Sequence, residues 1–166
     1  MRKNKPALAG LMNSDGNGTE GHSRNHPARE IVRRVINSLG SEQTGGDASL
    51  RAAAGDHLYR ELSRWVGPDG CHALFTRALA EARSEHPSLN EVRLRVGSEP
   101  YIGGVAETVV AYGDATMAKS LESMLVHLVE LLGRLIGDDM ATKLIERSSF
   151  ASERAHLNSH RKRENA

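Results

Sequence analysis

Two pairs of side chains in this sequence place a histidine and a carboxylate at helical spacing: His57 with Glu61, and His127 with Glu130. On an α-helix, residues three or four apart share a face, and imidazole beside carboxylate is common raw material for metal ligation and proton transfer. A closed metal centre needs about four convergent ligands. Helical di-iron proteins draw theirs from Glu and Glu-x-x-His sets on several helices, and no Glu-x-x-His falls on an apolar face here. Each pair is therefore expected to be an ordinary boundary contact. Metal binding through His57, Glu61, His127 and Glu130 is the alternative, and no cofactor is implied. A phosphorelay role for His127 is a variant of that alternative, but the stretch lacks a lysine two or three residues downstream.

Cys71 and His72 are adjacent, and a thiol near a helix N-terminus can become a nucleophile. Cys71, however, shares a helical stripe with Phe75 and Leu79, the setting of a small buried hydrophobe. The acidic pair Asp138–Asp139 invites a similar question. Neighbouring helical residues point about 100° apart, so the two carboxylates cannot easily converge on one ion. Gly137 suits a helix stop and Asp138 the N-cap of the next helix, while Asp139 complements the dipole of its first turn. The double glycine in "YIGGVAE" could present backbone amides to an anion, but a hinge is the expected reading. Phosphate-loop, dinucleotide, zincin and nucleophile-elbow patterns are missing, which leans the reading away from an enzyme.

These residues are positioned by a succession of amphipathic helices. Pro27 suits a first turn, and Ile31, Val32, Val35, Ile36 and Leu39 share a face before Gly40. Beyond the linker "GSEQTGG", Asp47 or Ser49 can cap a second helix carrying Leu58, Tyr59, Leu62, Trp65 and Val66 on one arc. "GPDG" marks a break, after which Cys71, Leu74, Phe75, Ala78, Leu79 and Ala82 face one way. His86–Pro87 ends that helix. "VRLRV" alternates like a strand but has no evident partner, so residues 88–104 are expected to be an extended loop tucking in Val92, Leu94 and Val96. A short helix over 105–112 precedes the longest one, from Asp114 or Thr116 to about Ile136. Its stripe comprises Met117, Leu121, Met124, Leu125, Leu128, Leu131, Leu132 and Leu135.

The fold class expected is thus all-α, a compact bundle of about five helices. One helical domain spans 27–150, between a disordered polar tail over 1–26 and a basic, frayed tail over 151–166. Net charge is +1, too small for a polyanion-binding domain. Nucleic-acid contact through the C-terminal tail is a minor alternative. A single cysteine excludes an intrachain disulfide and fits a reducing compartment. No apolar run reaches the roughly 18–20 residues of a membrane span, and arginine outnumbers lysine as in many bacterial chains. A bacterial cytoplasmic protein is expected. Val126 and Val129 widen the apolar arc of the longest helix. With Met124 and Leu132 they form the expected interaction face, for a homodimer or another protein partner, in a non-catalytic interaction or regulatory module.

Overall fold

The computed structural model describes residues 27–40 and 45–147. Both expected tails, with their four histidines, lie outside the described residues. Helix α1 runs over Pro27–Leu39, α2 over Asp47–Val66, α3 over Pro68–Glu85, α4 over Val105–Tyr112 and α5 over Asp114–Ile136. A sixth helix, α6, covers residues 138–147. The protein is an all-α bundle, the 105–112 segment being helical beside the five longer elements.

Helix α5 is the axis, packing against α1, α2, α3 and α4. Its buried set includes the whole expected stripe as far as Leu132 and also Ala118, Ser120, Val126, Val129 and Gly133. A helix that is apolar nearly all round is one that neighbours enclose, and that accounts for the wide arc of α5. Leu135 departs from the expected stripe. It is 64% exposed, in the last turn of α5. Trp65, expected inside, is likewise 61% exposed in the last turn of α2.

The junctions are tighter than the sequence suggests. α2 and α3 are separated by Gly67 alone, whose φ of 80° favours glycine. Pro68 is already helical, as proline's fixed φ allows at N1. The N-terminus of α2 is not capped by Asp47 or Ser49. Asp114, the first residue of α5, accepts the backbone N–H of Asp47 (2.9 Å) and of Ala48 (3.1 Å). One carboxylate thereby sits at two helix N-termini, where the dipoles favour a negative charge. Asp114→Ala is expected to lower stability by about 1 kcal/mol, the usual cost of a lost cap. A urea midpoint would read that loss, with Asp114→Asn milder because it keeps an acceptor oxygen.

Residues 88–104 correct the expectation of a partnerless loop. Pro87–Glu91 forms a 3₁₀ turn, and Arg93–Leu94 (β1) pairs antiparallel with Ile102–Gly103 (β2). The Arg83 guanidinium holds this segment, donating to the carbonyls of Leu89 (3.1 Å) and Val92 (2.6 Å). Val92 is buried and Leu94 half-buried, but Val96 is 53% exposed. It lies in the turn that carries the chain from β1 to β2.

Candidate functional site: an aromatic groove

The histidine–carboxylate candidates do not merge into one constellation. His57 is buried within α2. Glu61 faces Arg64 at 3.2 Å. His127 does meet Glu130, Nδ1 to Oε2 at 3.6 Å, and α3 adds Glu81 at 3.8 Å from Nδ1 and Glu85 at 3.7 Å from Nε2. These are charge-pair distances, too long for direct hydrogen bonds. Among the described residues, no three His, Cys, Asp or Glu side chains are arranged to hold a metal ion. His127 and Glu130 also border a hollow of about 560 Å³ whose rim mixes both signs of charge, with Arg51 held by Glu122 at 3.1 Å.

The expected interaction face requires correction. Met124, Val126, Val129 and Leu132 are all buried in the chain's own core, because α5 already has neighbours on those sides. The apolar side chains left outside near that end are Leu135, Ile136 and Met140. At the acidic junction, Gly137 ends α5 with φ 88°, donating to the Gly133 carbonyl (2.7 Å). Its own carbonyl accepts from Ala141 (2.9 Å). Asp138 is therefore the first residue of α6, one position inside the expected cap, and acts on the helix dipole from there. Arg34 is held by Glu30 (3.4 Å) and by Glu146 of α6 (3.1 Å).

A different surface is built around two tyrosines. Asp56, Tyr59, Arg60 and Ser63 recur along α2 at helical spacing and form one wall of a groove of about 810 Å³. Pro68 also lines it, and the turn from Val96 to Tyr101 forms the other wall. That turn is set by β1–β2 pairing and by the Arg95 N–H donating to the Tyr101 carbonyl (2.8 Å). Its Glu99–Pro100 peptide is cis.

Two tyrosines join the walls. The Tyr59 and Tyr101 rings stack with centroids 3.6 Å apart and planes 6° from parallel. Phe75 of α3 meets both edge-on, at 5.8 and 5.3 Å. The Tyr101 hydroxyl shares a 2.9 Å hydrogen bond with Nδ1 of His72. Asp56 accepts the backbone N–H of Ile102 at 2.8 Å, tying α2 to β2, while Arg60 and Glu99 pair across the mouth at 3.3 Å.

Burial governs the ionisation of this region. It pushes the Asp56 carboxyl above the usual range, against the lowering effect of the Ile102 N–H and Arg60. It pushes the Tyr101 phenol far upward, with the neighbouring Tyr59, Cys71 and Asp56 adding to the shift. It also raises the Cys71 thiol, with Ser63 opposing. Cys71 is fully buried beneath Tyr59, the setting of a core thiol rather than a nucleophile.

The Asp56 shift has a consequence for stability. An acid whose folded pKa is raised binds more protons folded than unfolded, so stability falls as pH rises from the unfolded pKa through the folded one. Asp56→Asn keeps an acceptor for Ile102 and removes that ionisation. It is expected to flatten the decline above pH 4 and to gain on wild type toward neutrality. Urea midpoints from pH 4 to 7 would read the difference, and parallel profiles would contradict it.

Compared with known proteins, the chain matches no family model, no curated protein and no solved structure. Among the described residues no helix is long and apolar enough to cross a membrane.

Proposed function

We propose that this chain is a small helical protein-interaction module, serving a regulatory rather than a catalytic role, with the Tyr59–Tyr101 groove as its docking surface. The observation that supports this reading is the groove's make-up. Tyr59, Tyr101, Pro68, Pro100 and the exposed Val96 line one concavity, the mixture of aromatic and apolar surface typical of recognition sites. Its polar groups brace the turn: Asp56 holds Ile102, Arg60 holds Glu99 and Tyr101 holds His72.

Val96→Asp tests the reading, because the side chain is exposed and its loss removes no core packing. The full-length variant is expected to keep its circular dichroism spectrum and urea midpoint while losing a partner that the wild-type chain captures. Identical capture by both chains would sink the reading.

Self-association is a second reading, favoured by the exposed Leu135, Ile136 and Met140 where α5 meets α6. Exposed apolar clusters of this kind are common at protein contacts. Sedimentation equilibrium of wild type against Leu135→Lys would show it as a dimer that the charge dissociates.

A further inference from the structure

We infer that the groove receives an arginine or lysine side chain, presented by an extended, apolar-flanked segment of a protein partner. This rests on the groove being the docking surface and specifies what docks there.

Charge is the first argument. The lining carries two carboxylates, Asp56 and Glu99, against one cation, Arg60. Arg60 is engaged by Glu99 at the mouth, where both side chains are exposed. Asp56 is partly buried and accepts the Ile102 N–H; Arg60, one turn along α2, acts on it electrostatically, but its guanidinium is paired with Glu99. A carboxylate set in an apolar wall interacts more strongly with an arriving cation than a surface carboxylate does, since water screens the pair less. An anionic occupant would face two carboxylates. A purely apolar one would strip water from Asp56 and add no countercharge to the Ile102 hydrogen bond it already has, and that costs free energy.

Shape and surface chemistry give the second argument. Pro68, Val96 and Pro100 offer apolar contact for an aliphatic stem. Tyr101 is buried beneath Tyr59, so the half-buried Tyr59 ring supplies the aromatic surface that attracts a guanidinium or ammonium. Arginine fits both requirements, being weakly hydrated and suited to stacking on rings. The groove's volume of about 810 Å³ exceeds what one side chain fills, so residues on either side of the cation must occupy the rest. A peptide segment supplies those residues, whereas a small free amine would leave the apolar walls wet.

The test is amide NMR of the full chain, titrated with Ac-Pro-Leu-Arg-Pro-Leu-amide and with the same peptide carrying citrulline, which keeps the shape and loses the charge. With the arginine peptide, saturating shifts are expected at residues 56–63 and 96–101. The citrulline peptide is expected to bind about tenfold more weakly. Asp56→Asn, which retains an acceptor for Ile102, should weaken the arginine peptide by a similar factor and leave the citrulline peptide unchanged. Equal binding of the two peptides, or an arginine peptide indifferent to Asp56→Asn, overturns the cation inference while keeping the groove as a docking surface. No groove shifts with either peptide at millimolar concentration overturns both.

Discussion

Phe75→Ala is expected to destabilise the protein by about 3–5 kcal/mol, the range for removing a buried aromatic ring from a packed core. Phe75 has no exposed surface and sits edge-on to both Tyr59 and Tyr101. Its loss removes the transfer free energy of the ring and leaves a void beneath the tyrosine stack. Two edge-to-face contacts are forfeited as well, each contributing about 0.5–1.5 kcal/mol beyond area burial. Urea denaturation followed by circular dichroism would measure the cost. Phe75→Leu should lose less, because it keeps most of the apolar volume. An alanine variant within about 1 kcal/mol of wild type would mean that the core beneath the groove is not closely packed.

Gly104→Ala is expected to cost about 2–5 kcal/mol, through two separable effects. Gly104 has φ 83° and ψ 4°, the left-handed conformation in which a side chain costs about 1–2 kcal/mol. A Cβ there would also run into the carbonyl oxygen of Glu91. That oxygen belongs to backbone and cannot rotate aside, so the 3₁₀ turn or the start of α4 must shift, at about 1–3 kcal/mol. Gly97 provides the control. Its φ is 76° but a Cβ would meet nothing nearby, so Gly97→Ala should show the conformational penalty alone. Equal losses at the two positions would remove the steric half of the argument. The second glycine of "YIGG" is thus a close backbone approach that a side chain would obstruct.

How much of this was legible follows from how local each signal is. The apolar stripes of α1 and α3 appear in the sequence because each helix has one buried face, and 3.6-residue periodicity reports a single face well. The stripe of α5 is equally legible, but its width alone does not say what covers it. Val126 and Val129 look like a surface seeking a partner unless α1, α2, α3 and α4 are known to surround them. The number of neighbours is a tertiary property that no pattern within one helix encodes. The cap from Asp114 to Asp47 spans 67 residues, and β1's partner is only Ile102–Gly103, too short to register as a strand.

The groove was half legible. Asp56, Tyr59, Arg60 and Ser63 lie at i, i+3, i+4 and i+7, a polar-aromatic face that helical spacing exposes. The same spacing puts Tyr59 on the apolar arc of α2, and it does pack half-buried against the core, while the facing wall comes from a turn about forty residues away. The residues singled out for chemistry fared differently. His127 and Glu130 meet, but with α3 carboxylates rather than with His57 and Glu61. Polar residues on a helix declare that they can pair without declaring with whom.

The docking role of the groove is the central claim, and site-specific photocrosslinking in living cells tests it most directly. A benzoylphenylalanine is placed at Val96 in one full-length chain and at Leu135 in another, both positions being exposed. The expected result is a discrete adduct to another protein from position 96, reduced on adding Asp56→Asn. An adduct from position 135 alone, at twice the chain's own mass, would contradict the claim and move the interaction to the α5–α6 corner.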